Sequence, residues 1–200
     1  SLSDAVVLVE KRGEFMQACV PAGVGAMAAI IGLDDDNIIS ACESAKQAQV
    51  VSAVNFNSPG QVVIAGHKEA VERASELCKA AGAKRVLPLP VSVPSHCALM
   101  SDAADKLAVE LDKVTFINNV DVVSETTSAA IKSALVKQLY SPVRWSETIT
   151  MLANQGIEKV VEVGPGKVLQ GLNKRINKSL RSVSFNTADS LQQTKDLINS

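Results

Sequence analysis

One of the chain's two histidines, His96, stands in Val93-Pro94-Ser95-His96-Cys97, a proline-stiffened loop just ahead of a predicted helix. An imidazole held in such a loop can face a cleft and act as a general base, since its ordinary pKa lies close to neutrality. The competing reading is a structural or merely exposed histidine. The other, His67, follows Gly66 at a helix start and is expected to be a solvent-facing cap residue. Arg12 lies four residues from both Leu8 and Met16, on the edge of a helical apolar stripe, while Lys11 and Glu14 point more nearly to water. An inward-leaning arginine calls for an anionic partner. Equally, its stem can cover apolar surface while its head snorkels to solvent.

Other candidates are weaker. The stretch from Asn55 through Phe56, Asn57, Ser58, Pro59 and Gly60 to Gln61 gathers amides at a hairpin tip, where they can hydrogen-bond a polar ligand, although turn chemistry explains most of its composition. Gly164-Pro165-Gly166-Lys167 misses the G-x-x-x-x-G-K-[ST] spacing of a phosphate-cradling loop, so it reads as a tight turn between a strand and a helix. The sequence contains no G-x-S-x-G, hence no nucleophile elbow. Its four cysteines, Cys19, Cys42, Cys78 and Cys97, are dispersed, and with two histidines they suggest neither a metal site nor a disulfide framework. A reducing, cytoplasmic setting is expected.

The elements that must carry these residues follow from periodicity. Asp4–Gln17 predicts a helix with Ser3 and Asp4 as caps and Ala5, Leu8, Val9, Phe15 and Met16 as its apolar positions. From Gly25 to Val91 the signals alternate. Gly25–Leu33 is a strand, Asp34–Gln47 a capped helix and Val50–Phe56 a strand; after a turn at Asn57–Gly60, Gln61–Ala65 is a strand, His67–Ala81 a helix and Lys84–Val91 a strand. That is the βαββαβ, ferredoxin-like order. Beyond the prolines, helices are expected at Met100–Leu111, Ser128–Tyr140 and Val143–Asn154, and a short strand at Val120–Val123. A strand at Lys159–Val163 then leads through Gly164–Gly166 to a helix at Lys167–Ile176. The tail beyond Ser179 is weakly patterned, with Val183–Phe185 as an edge-strand candidate. The fold class is α/β: a large subdomain of residues 1–22 and 92–200, interrupted by a small one of residues 23–91.

Composition excludes several classes of function. The 200 residues are 46% hydrophobic, enough for a sizeable core, and with a net charge of −1 and 3% aromatics they lack the basic footprint and stacking residues of nucleic-acid binding. A ferredoxin-like RNA binder is disfavoured further because Gln61–Ala65 offers no aromatic platform. No run of about 18 apolar residues suggests a membrane span, and Ser1-Leu2-Ser3-Asp4 does not resemble an export signal.

Seven segments, in order, resemble the malonyl-CoA:acyl carrier protein transacylase family: Arg12–Gln17, Gly25–Ala28, Asn55–Gln61, Leu89–Met100, Asn118–Asp121, Gln138–Trp145 and Glu162–Leu169. The resemblance spans nearly the whole chain, and the Val93–His96 stretch is closer to the stand-alone bacterial type than to a domain of a larger synthase. It implies an α/β-hydrolase-like body with a ferredoxin-like insert, and ping-pong acyl transfer through a serine–histidine pair. His96 matches the general base and Arg12 the grip on the malonyl carboxylate. Gln138 matches the position that orients the histidine, chiefly through its backbone carbonyl. Asn55, Asn57 and Gln61 are then candidate contacts to the CoA or pantetheine arm, and Lys84 and Arg85 to CoA phosphates or an acidic carrier protein. The implied partners are malonyl-CoA, as a thioester substrate with no separate cofactor, and acyl carrier protein; a monomer is expected.

The sequence departs from the family twice. It starts just after the family's G-H-S-L-G-type elbow, so the reacting serine is absent, and several family residues are missing between Phe116 and Ile117. Omitted residues are the expected explanation at both places. A literal fragment is expected to expose apolar surface and aggregate. If the elbow were truly lacking, the chain would be a non-catalytic module that binds CoA or the carrier protein.

Overall fold

The computed structural model describes residues 1–91, 93–114 and 127–200. The strand expected at Val120–Val123, the Asn118–Asp121 motif and the Phe116–Ile117 junction lie outside the described residues.

Helix α1 runs Leu2–Cys19 and is capped one turn earlier than expected: the Ser1 hydroxyl accepts from Asp4 N while Asp4 caps back, forming a capping box. Of the apolar positions expected on this helix, Met16 is buried and Leu8 and Phe15 partly so, whereas Ala5 and Val9 are exposed, Val9 at 69%. The physical reason is that α1 packs on α4 through its C-terminal half, so no described element covers its first turns.

Residues 25–88 form β1 (Gly25–Ile31), α2 (Asp35–Ala45), β2 (Val51–Ser58), β3 (Gln61–His67), α3 (Lys68–Ala80) and β4 (Arg85–Pro88), in the βαββαβ order expected. The strands make one antiparallel sheet, β2-β3-β1-β4. Alternation sorts its two faces. Ala28, Ile30, Val62 and Ile64 pack with Ile38, Cys42, Val71, Ala74 and Cys78 of α2 and α3. Met27, Ala29, Val63 and Ala65 face the other way and enclose Cys97, which follows His96 in sequence. The small sheet therefore lies with one face against the loop that carries His96.

Local departures have local causes. β2 runs through Asn57 to Ser58, with register shifts at Ala53/Asn55 and Phe56/Ser58, so the turn narrows to Pro59-Gly60. β4 is shorter than expected because Pro88 and Pro90 cannot donate to a ladder, although Leu89 N still donates to Met27 O at 2.9 Å. His67 does occupy the N-cap of α3, but it is not solvent-facing: its Nδ1 accepts from Val50 N at 2.9 Å. The preceding residue has to be glycine, since a Cβ on Gly66 would stand 2.0 Å from Val50 O.

After a single 3₁₀ turn at Ala98–Met100 comes α4 (Ser101–Leu111), followed by α5 (Ser128–Lys137), α6 (Trp145–Asn154), β5 (Lys159–Val163), α7 (Val168–Ile176), β6 (Arg181–Phe185) and α8 (Leu191–Asn199). β6 pairs in parallel with β5 along its whole length. The terminal helix α8 escaped the periodicity reading because only Thr194 and Leu197 of its nine residues are buried. α6 starts two residues later than expected. Val143 instead joins the edge of β2, donating to Val54 O at 2.8 Å and accepting from Phe56 N at 2.9 Å. Helices α1, α4 and the end of α5 share a core of Met16, Met100, Ala104, Leu107, Leu111 and Leu139.

Candidate active site

The site assembles where α5 ends. The helix stops at Lys137, three residues before its expected end, and residues 138–140 form a turn whose carbonyls are no longer spent on helical hydrogen bonds. Two consecutive carbonyls from that turn reach the same residue: His96 Nδ1 lies 2.6 Å from Gln138 O, and His96 N donates to Leu139 O at 2.9 Å. A carbonyl only accepts, so Nδ1 carries the proton and Nε2 keeps its lone pair. His96 also has φ 65°, a left-handed backbone that costs a non-glycine residue about 1–3 kcal/mol. Strain of that kind persists where surrounding contacts fix it, and here the Leu139 contact does so.

Electrostatics tune the ring toward its neutral form. Burial depresses the His96 pKa below its ordinary 6.5; the Gln138 carbonyl opposes that shift, and the positive charge of Arg12 adds to it. Arg12 is the residue that supplies that charge. It is half-buried on the third turn of α1, its Nε has no hydrogen-bond partner among the described residues, and desolvation lowers its own pKa. A guanidinium nitrogen left unsatisfied in a protein costs about 1–3 kcal/mol and is an open invitation to an anion. The Nε end of the guanidinium is thus buried and unpaired, on a side chain that is half-exposed as a whole.

Cys97 follows His96 in sequence but is no candidate nucleophile. Its thiol is 2% exposed, donates to Pro94 O at 3.1 Å, and burial pushes its pKa to about 11.

The remaining candidates fall into two groups. Asn55 pairs with Val143, five residues beyond Gln138, and with Val63, whose side chain belongs to the face that encloses Cys97. Asn57 is half-buried next to it, and neither amide makes a hydrogen bond among the described residues. Gln61 is already engaged: its Oε1 accepts from Arg175 of α7 at 2.6 Å, tying the hairpin tip to that helix. Lys84 and Arg85 lie apart from this cluster. Both are exposed, and Arg85 pairs with Ile31 at the end of β4 away from the His96 loop, about 10 Å of strand from Pro88. Among the described residues no cluster of His, Cys, Asp or Glu could hold a metal ion.

Several contributors had no side-chain signature to find. Leu139 acts through its carbonyl and Val143 through its backbone. Glu162 caps α7, its carboxylate oxygens accepting from Leu169 N at 3.1 Å and Gln170 N at 2.8 Å. Buried Asn173 joins α7 to Trp145 Nε1 at 3.1 Å and to Ser182 Oγ at 3.3 Å.

Residues 1–195 match the acyl transferase domain. The malonyl CoA-acyl carrier protein transacylase of Escherichia coli strain K12 is 63% identical over 202 residues, covering 98% of this chain and 65% of that protein. The crystal structure of malonyl-CoA:acyl carrier protein transacylase from Xanthomonas oryzae superposes with a TM-score of 0.95 at 46% identity, over 98% of this chain and 65% of that one. A malonyl-transacylase solved in complex with its type II PKS acyl-carrier protein gives 0.90 at 57% identity, with the same coverage. The chain thus spans about 65% of the length of the relatives it matches.

Proposed function

The chain belongs to the acyl transferase domain family, and on that premise we propose that the protein carrying it moves malonyl groups from malonyl-CoA to the phosphopantetheine thiol of acyl carrier protein, in fatty-acid synthesis. The observation that carries the proposal is the pairing of an imidazole oriented through Nδ1 with a half-buried arginine whose Nε lacks a partner. One group is built to move protons and the other to hold an anion. Malonyl-CoA supplies both needs, a thioester to attack and a free carboxylate to grip.

In the proposed reaction His96 Nε2 takes the proton of a serine hydroxyl supplied outside these residues, and the serine oxygen attacks the thioester carbonyl. The carbon–sulfur bond breaks, and CoA leaves as the thiol with the proton returned by the imidazolium. In the second half His96 takes the proton of the carrier's thiol, the sulfur attacks the malonyl ester, and the serine regains its proton. The Gln138 carbonyl stabilises the imidazolium formed in each half, as a triad carboxylate does elsewhere. Arg12 binds the malonyl carboxylate through a two-point, charge-assisted contact, so an acetyl group would leave it unsatisfied.

Asn55 and Asn57, at the junction of the sheet with Val143, are read as contacts for the pantetheine arm. Gln61 can add its Nε2, since Arg175 occupies only its oxygen. Lys84 and Arg85 are left for the distant CoA phosphates or the carrier protein. The architecture is read as an α/β-hydrolase-like body, residues 1–22 and 92–200, around a ferredoxin-like insert, residues 23–91. The enzyme is read as a cytoplasmic monomer that needs no separate cofactor.

The test is transfer of malonyl from malonyl-CoA to holo-carrier protein by the full-length protein, with acetyl-CoA as the competitor. Transfer that prefers malonyl and is lost in His96→Ala supports the reading. Tight binding of malonyl-CoA without turnover would replace it with a non-catalytic binding module.

A further inference from the structure

We propose that Leu139 is a positioning residue for the general base, its buried side chain holding in place the two successive carbonyls that fix His96. The inference rests on reading His96 as the base.

Within the turn that closes α5, Lys137, Gln138 and Tyr140 are exposed, and Leu139 alone is buried, at 0% exposure. Leu139 belongs with Met16, Met100, Ala103 and Leu107 to the buried core shared by α1, α4 and α5. Its own carbonyl sets the strained backbone of His96, and the adjoining Gln138 carbonyl sets the ring. A side chain locked in a close-packed core thereby determines where a neighbouring peptide group points, and a shift of about 1 Å in a catalytic group can cost about 100-fold in rate.

The same core reaches the arginine. Met16, one turn along α1 from Arg12, touches the cluster that seats Leu139. The spacing between the carboxylate grip and the proton-transfer group is thus set through one apolar cluster, with Leu139 on the histidine side.

The experiment compares Leu139→Ala with Leu111→Ala in the full-length protein. Leu111 is 1% exposed in the same core but at the far end of α4, with no hydrogen bond to His96 or its turn among the described residues, so it reports loss of packing alone. Each variant is assayed for kcat, KM for malonyl-CoA and melting temperature, and the His96 ring is titrated by NMR, its signal assigned with His96→Asn. Expected for Leu139→Ala are a fall in kcat of about 10–100-fold with KM changed less than about threefold, and a His96 pKa moved further down. The direction follows because the Gln138 carbonyl is what raises that pKa. Leu111→Ala loses similar thermal stability with the titration unmoved, and the volume-conserving Leu139→Met restores both readouts. Should Leu139→Ala fail to fold, Leu139→Val supplies the comparison. Equal thermal losses with an unshifted titration and kcat in the Leu139 variants would overturn the inference. A His96→Ala enzyme that still transfers malonyl would overturn the underlying reading instead.

Discussion

His96 Nδ1 and the carbonyl oxygen of Gln138 lie 2.6 Å apart although 42 residues separate them in sequence. The orienting group is main chain, so the identity of residue 138 should matter little. Gln138→Ala is expected to retain malonyl transfer within about threefold of the parent, because it keeps the peptide carbonyl that accepts from Nδ1. Steady-state assays check this. A loss of 100-fold or more would assign the work to the side-chain amide.

On the proposed reading, Arg12 sets the acyl specificity. Arg12→Ala removes the group that meets the free carboxylate and should lower kcat/KM for malonyl-CoA by about 10–100-fold while acetyl transfer holds or rises. Arg12→Lys should recover only part of the loss, since an ammonium cannot reproduce a two-point contact. Competition between malonyl-CoA and acetyl-CoA reads the ratio directly.

In the proposed reaction His96 works as a neutral base, and its pKa in the free protein lies below the ordinary 6.5, first because it is buried and also because of the Arg12 charge. The acidic limb of kcat/KM should therefore fall below pH 6.5, with the full rate held above it. Malonate bound at Arg12 cancels part of the positive charge, which raises the pKa of the imidazole. An NMR titration of His96 with and without malonate checks the sign: the pKa should be higher with malonate, and a downward shift would place the dianion elsewhere.

Glu162 stabilises the fold at a distance from the chemistry. Its carboxylate accepts from the second and third N–H groups of α7, where negative charge also meets the positive end of the helix dipole. Glu162→Gln should lower unfolding stability by about 0.5–2 kcal/mol and leave the His96 titration in place. Denaturant unfolding of the two proteins measures it.

Much of this was legible before the structure, and the parts that were not share a cause. Apolar runs at Gly25–Leu33 and Gln61–Ala65, with the helical stripe of α3, gave the βαββαβ order, because strands buried on both faces read as continuous apolar stretches. The loop of His96 was likewise marked by its prolines. Helix ends were less visible. α5 stops at Lys137 rather than Tyr140, and Val143 pairs with Asn55 rather than starting α6, because both outcomes are decided by tertiary backbone hydrogen bonds. Sequence placed Arg12 at the edge of its stripe but left its partner open; only the geometry shows its Nε unsatisfied. Burial on the first turns of α1 was overestimated, since Val9 and Ala5 lie where no described element reaches.

The most direct test of the central claim is the intact mass of the full-length protein after brief exposure to malonyl-CoA, repeated after adding holo-acyl carrier protein, for the parent and His96→Ala. A malonyl adduct that forms on the parent, disappears on addition of the carrier and fails to form on His96→Ala is the predicted result. An adduct that forms equally fast without His96, or bound malonyl-CoA that never becomes an adduct, would contradict the account.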